Sequence, residues 1–172
     1  SYEMLENKIV GGLYLTKSLS KKGKFAEALE NQTYVYELQK NSKTIKKSVL
    51  NRLYYSSFLA LLNTTLLVYE NDLKALELLN EFIIDLGKNR FDILDPEKQA
   101  IYYYRYIVNL LLDRKDEAKK DLQLAKNMDE SLEFVKKTHN ILNPYANNEG
   151  ELYADQLYEP KPKERMHPEE II

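Results

Sequence analysis

The sequence has no cysteine, no tryptophan, and only five glycines and five prolines in 172 residues. Without cysteine there is no disulfide framework, no thiolate-bound zinc or iron–sulfur centre, and no thiol nucleophile. So few glycines and prolines cannot supply the frequent turns of a β-sandwich or barrel. An excess of one charge is also missing, since 25 basic residues stand against 27 acidic ones, a formal net charge of −2. A general nucleic-acid binder needs a basic surplus, so no nucleic-acid partner is expected. The uncharged run from Leu53 to Tyr69 is 17 residues long and contains Ser56, Ser57, Asn63, Thr64 and Thr65. A membrane-crossing helix needs about 20 predominantly apolar residues. This run therefore reads as a helix buried among its neighbours, and no membrane insertion within this segment is expected. The chain begins with Ser1 rather than Met. A removed targeting or membrane segment stays open on that ground, with a cytoplasmic location as the default.

Catalytic constellations are equally scarce. The two histidines, His139 and His167, lie far apart and in no metal-ligand spacing. No glycine-rich phosphate loop and no nucleophile elbow occurs. The acid pairs Asp116-Glu117 and Asp129-Glu130 fall at helix starts, where the helix dipole accounts for them. The expectation is a protein that is not an enzyme, with no cofactor and no metal.

What the sequence does have is apolar residues three and four apart over long stretches, broken by short polar segments, which predicts an all-helical fold. The pattern places helices over Tyr2 to Lys21, Phe25 to Gln39, Lys43 to Tyr69, Leu73 to Leu86, Asp95 to Leu112, Lys115 to Asn127 and Glu130 to Leu142. Gly23 and Gly87 mark helix ends, where glycine tolerates a left-handed cap. Asn71 and Asp72 sit at a helix start, and Asp95-Pro96-Glu97 predicts an Asp cap followed by proline at the first helical position. Asn143-Pro144 stops the last helix. Beyond it the composition changes: residues 149–172 carry seven acids against three bases, leaving 20 acids and 22 bases before them. The division is a helical domain over 1–143 and an acidic, proline-containing tail over 144–172. That tail is either a solvated arm or an arm lying on the slightly basic body.

Consecutive helices joined by very short connections make antiparallel hairpins. Three junctions look alike: Lys22-Gly23-Lys24-Phe25-Ala26-Glu27-Ala28, Glu70-Asn71-Asp72-Leu73-Lys74-Ala75 and Asp113-Arg114-Lys115-Asp116-Glu117-Ala118. A small residue about one turn into the second helix lets two helices pass closely beside a tight turn. The first junction resembles the turn and second helix of a tetratricopeptide repeat, and the other two are degenerate versions of it. The resemblance covers about residues 9–127 as three helix pairs, with the seventh helix in the closing position. The Ala spacings, 47 and 43 residues, exceed the roughly 34 of that family, and Gly12, Leu15, Thr16 and Leu19 stand where its first-helix signature would fall. A generic helical bundle or a HEAT-like repeat is the alternative architecture.

The resemblance implies an α-solenoid scaffold whose first, third and fifth helices line a concave face that binds a peptide or protein partner. On the fifth helix lies the cluster Tyr102-Tyr103-Tyr104-Arg105-Tyr106, with Asn109 one turn after Arg105. Five consecutive residues point around most of a helix, so part of this cluster is expected at a surface. Tyr and Arg are common interface anchors, and Arg105 and Asn109 share a helix face. The candidate partner-binding residues are thus Tyr102, Arg105, Tyr106 and Asn109, with Arg52, Tyr55 and Asn63 on the third helix and Lys17 on the first. The competing reading fills the interior with these tyrosines and pairs Arg105 with an acid of a neighbouring hairpin. In function, the expectation is a non-enzymatic protein- or peptide-binding module. The alternative is a self-associating or peptide-sensing regulatory domain of a larger, membrane-anchored protein.

Overall fold

A computed structural model describes residues 2–42 and 48–133, together with Val135. It is all-helical, with helices α1 (Tyr2–Lys21), α2 (Phe25–Lys40), α3 (Ser48–Asn63), α4 (Asp72–Leu86), α5 (Asp95–Leu111) and α6 (Lys115–Met128). Among the described residues there is no strand. The main contacts join consecutive helices, α1 to α2 and onward to α6, with a further contact of α1 with α3.

The helices follow from the sequence pattern, with three instructive departures. Asn63 ends the α-helical part of the third helix, and Thr64–Val68 continues as a π-helical turn. Here the Tyr69 N–H donates to the Thr64 carbonyl at 3.2 Å, while the Thr64 hydroxyl donates to the Ala60 carbonyl at 3.0 Å. At α5 the cap is Leu94 rather than Asp95, which is the first helical residue. The capping partner comes from the other side: Glu97 Oε1 accepts from the Leu94 N–H at 2.8 Å, half of a capping box. At the end of α4, Gly87 stays right-handed (φ −67°), and Asn89 takes the left-handed conformation (φ 54°). The expected seventh helix falls mostly outside the described residues. At its start Asp129 Oδ1 accepts from the Ser131 N–H at 3.0 Å, a local turn.

The three hairpin junctions share one backbone. Gly23 (φ 75°), Glu70 (φ 50°) and Asp113 (φ 58°) are all left-handed, each five residues before its junction alanine. The next residue then caps the following helix in each case, and its carbonyl accepts from the N–H of Ala28, Ala75 and Ala118 at 3.0, 3.0 and 2.9 Å. All three alanines are buried, which is why no larger side chain fits there.

The core is aromatic at its centre. Phe58 of α3 stacks on Phe82 of α4 with ring centroids 4.0 Å apart. Tyr54 packs edge-on to Phe91 at 4.8 Å and stacks on Tyr36 of α2 at 5.6 Å. Truncating such a ring to alanine costs about 3–5 kcal/mol. The buried polar atoms beside it are mostly paired. The Tyr54 hydroxyl donates to Asp85 Oδ2 at 2.8 Å, and Arg90 pairs with the same carboxylate. Arg90 Nη1 also donates to the carbonyls of Gln39 and Ser42, tying the C-terminal end of α2 to the segment after α4.

Candidate functional site

Helices α1, α2 and α3 line a groove of about 420 Å³, within the roughly 300–1,000 Å³ range of ligand pockets. Three helices build it. α1 contributes Leu13, Thr16 and Lys17, α2 contributes Gln32 and Val35, and α3 contributes Ser56, Ser57, Leu59, Ala60 and Asn63.

The α1–α2 side is fixed by a close crossing. Gly12 lies against Val35, with no room for a Cβ. Asn31 Nδ2 donates to the Gly12 carbonyl at 2.6 Å and to Thr16 Oγ1 at 2.8 Å. On the other side, Ser57 Oγ accepts from Gln39 Nε2 at 2.7 Å, which leaves the serine proton free to be donated.

Two groove residues are polar, buried and incompletely paired. Gln32 and Asn63 are 7% and 8% exposed, and their amide oxygens have no hydrogen-bond partner among the described residues. A buried acceptor left unpaired costs about 1–3 kcal/mol, so this pair is a cost the fold carries where the groove lies. No lining residue is a carboxylate, and Lys17, exposed on α1, makes no ion pair among the described residues. The groove is therefore weakly electropositive, with aliphatic walls and neutral polar groups.

The sequence-derived candidates fall into three separate places. Lys17 and Asn63 come together in the groove. Arg52 and Tyr55 lie at the α3–α5 seam. There Arg52 Nη1 contacts Glu97 Oε2 at 2.8 Å, its guanidinium lies 5.5 Å from the Tyr55 ring centroid, and the hydrogen bond to Glu97 raises its pKa above the ordinary value. Tyr55 is buried, and burial pushes its hydroxyl pKa up. The remaining four lie at the α5–α6 contact. Asn109 Nδ2 donates to Asp121 Oδ2 at 2.8 Å, and Arg105 pairs with Asp121 at 2.8 Å. Tyr106 is buried against Tyr103, with centroids 5.3 Å apart. Tyr102 is half-buried beneath the Arg105 guanidinium, 5.8 Å from its ring centroid. Arg105 and Asn109 do share a face, and that face meets α6.

Gln32, Thr16, Ser56 and Ser57 were not among the candidates. A signal for Gln32 exists: it falls in the buried stripe Ala28, Gln32, Val35, Tyr36 and Gln39 of α2, where an amide interrupts an apolar face.

Among the described residues no helix is long and apolar enough to cross a membrane, and no three His, Asp or Glu side chains gather as a metal site. His139 and His167 lie outside the described residues. Comparison of the chain with protein-family models, with curated proteins and with solved structures finds no match.

Proposed function

We propose that this chain is a non-enzymatic protein- or peptide-binding module, a tetratricopeptide-like stack of three helix pairs that receives a partner segment in the groove between α1 and α3. The observation that carries the reading is the groove itself: a ligand-sized space with aliphatic walls, lined also by the polar residues Thr16, Lys17, Gln32, Ser56, Ser57 and Asn63. Apolar walls supply contact area, and a few polar groups fix register, the usual division of labour in peptide recognition. Two features support the repeat reading: the shared backbone of the three junctions and the predominance of contacts between consecutive helices. α1 and α3 are the first helices of the first two pairs, the position where the resemblance puts a concave binding face.

The test is a peptide-display selection on the folded chain, with counter-selection on Ala60→Arg, which puts a long cation into the groove. The reading expects peptides that bind wild type and lose at least tenfold in affinity on the variant. Selected peptides that bind both chains equally would overturn it.

A second reading, self-association, has its own observation. α1 exposes the neighbouring Tyr14 (71%) and Leu15 (49%), apolar surface that a second copy of the chain would cover. Light scattering over a dilution series separates the two readings, since a strict monomer at high concentration removes the second.

A further inference from the structure

We propose that the groove lined by α1, α2 and α3 is occupied by the chain's own residues 149–159, an acidic segment that a partner has to displace. The displacement rests on the binding function proposed above, and the occupancy stands without it.

Charge is unevenly spread along the body of the chain. Residues 1–63, which contain α1, α2 and α3, hold ten bases against five acids, whereas residues 64–148 hold twelve bases against fifteen acids. The basic surplus therefore belongs to the end that forms the groove. Lys8, Lys17, Lys21, Lys22 and Lys24 are exposed and make no ion pair among the described residues. Lys17 lines the groove, and Lys21 follows one helical turn later on the same face, beside Tyr14, which is 71% exposed. No lining residue is a carboxylate, and Leu13, Leu59 and Ala60 supply partly exposed apolar wall. Such a surface complements an acidic segment that also carries aliphatic and aromatic side chains.

Residues 149–159 have that chemistry. Glu151, Asp155 and Glu159 recur at intervals of four, the interval between Lys17 and Lys21, and no base occurs between 149 and 159. Leu152, Tyr153, Leu157 and Tyr158 stand between the acids. The chain is long enough. Asp155 follows Val135, the last described residue, by 20 positions, and with the expected helix continued to Leu142 that stretch still reaches about 50 Å. From α6 to α2 there are four steps between consecutive helices of roughly 8–10 Å each, at most about 40 Å. Tethering makes the contact intramolecular, at an effective concentration on the order of millimolar, so a few exposed charges and apolar contacts suffice.

The experiment uses the full chain. Gln156→Cys gives it a single cysteine, which takes a nitroxide label whose effect on ¹⁵N amide signals is compared before and after reduction. Leu13, Lys17 and Ala60 are expected to lose more than half their intensity, a greater loss than at Lys119 and Leu124 of α6, and high salt should at least halve the effect. Broadening that is strongest on α6 and fades toward α1 would overturn the proposal. Lys17→Glu with Lys21→Glu should abolish the groove broadening, as should Glu151→Lys with Asp155→Lys, and the four changes together should restore at least half of it. The Glu151→Lys, Asp155→Lys chain keeps every groove side chain and serves if the lysine variant misfolds by circular dichroism; undiminished broadening in that chain contradicts the charge pairing. Labelled chain mixed with ¹⁵N-labelled chain lacking the nitroxide should give no broadening, and broadening as strong as within one chain would assign the segment to a second copy instead. Displacement is read separately: peptides lost on Ala60→Arg should bind the Glu151→Lys, Asp155→Lys chain at least threefold more tightly than wild type, and equal affinity removes the displacement. Groove broadening with no peptide that depends on Ala60 keeps the occupancy and removes the binding function. A peptide that depends on Ala60, with no broadening in the groove, does the reverse.

Discussion

Arg105 and Asp121 lock α5 to α6 through a fork of contacts. Nε of Arg105 lies 3.0 Å from both carboxylate oxygens of Asp121, and Nη2 lies 2.8 Å from Oδ1. Asn109 Nδ2 adds a fourth contact to the same carboxylate at 2.8 Å, and Arg105 Nη1 reaches Asn80 of α4 at 3.1 Å. The side chain of Asp121 is 4% exposed and that of Arg105 is 21% exposed. This is a largely desolvated pair, in which removing one partner strands the other.

Arg105→Ala is therefore expected to cost about 3 kcal/mol, the usual consequence of leaving a buried carboxylate without its cation. Urea denaturation measures it directly. Arg105→Lys should recover only part of the loss, because an ammonium cannot reproduce the two-pronged contact. A melting temperature unchanged in Arg105→Ala would show that the pair contributes nothing to stability.

The three left-handed junction residues give opposite expectations. Gly23 has φ 75°, and Gly23→Ala should destabilise by about 1 kcal/mol, since a Cβ is disfavoured there. Glu70 and Asp113 already carry that penalty at φ 50° and 58°. Glu70→Gly and Asp113→Gly should each stabilise by about 0.5–1 kcal/mol after the added flexibility of glycine in the unfolded chain is counted. Thermal melts of the three single variants are sufficient, and three changes of the same sign would contradict the shared junction geometry.

Much of this architecture is legible in the sequence, and the exceptions have physical reasons. Apolar spacing gives the helices because burying one face of a helix demands it. Gly23 announces its turn and Asp113 does so more weakly, since Asp tolerates a left-handed backbone, while nothing in the residue type of Glu70 signals one. The π-helical turn at Thr64–Val68 hides within an uncharged run whose helical spacing continues through it. The tyrosine cluster of α5 has the composition of an interface, yet Tyr103, Tyr104 and Tyr106 are buried, because α4 and α6 cover α5 from two sides. Of the candidate residues, Lys17 and Asn63 share the groove. Gln32 lies on the second helix of its pair, outside the first-helix face that the resemblance assigns to binding, and only the packing of α2 brings it to the groove.

The buried tyrosines predict an alkaline transition. Burial raises the hydroxyl pKa of Tyr36, Tyr54, Tyr55 and Tyr103, whereas in the unfolded chain tyrosine titrates near 10. Above about pH 10 the unfolded chain holds fewer protons than the folded one, so stability falls as pH rises. The stabilisation is fully present below that pH. Absorbance at the tyrosinate band should show a steep, cooperative step above about pH 10 that coincides with loss of helical circular dichroism. Ionisation of all tyrosines in one shallow curve around pH 10, with helicity retained, would contradict the burial of these rings.

Arg90→Met tests the tie between α2 and α4. It removes the cation beside Asp85 and the donors to the carbonyls of Gln39 and Ser42. The expected loss is about 3 kcal/mol, with faster amide exchange confined first to the last turn of α2. Exchange that speeds up uniformly along the chain would argue against a local tie.

The groove between α1 and α3 is the centre of the account, and amide-shift mapping tests it most directly. The ¹⁵N-labelled chain is titrated with a peptide selected on the folded protein. The account predicts that the largest shifts cluster at Leu13, Lys17, Gln32, Leu59, Ala60 and Asn63, with smaller changes on α5 and α6. Shifts centred on Tyr102 and the α5–α6 contact, with the α1–α3 groove undisturbed, would contradict it.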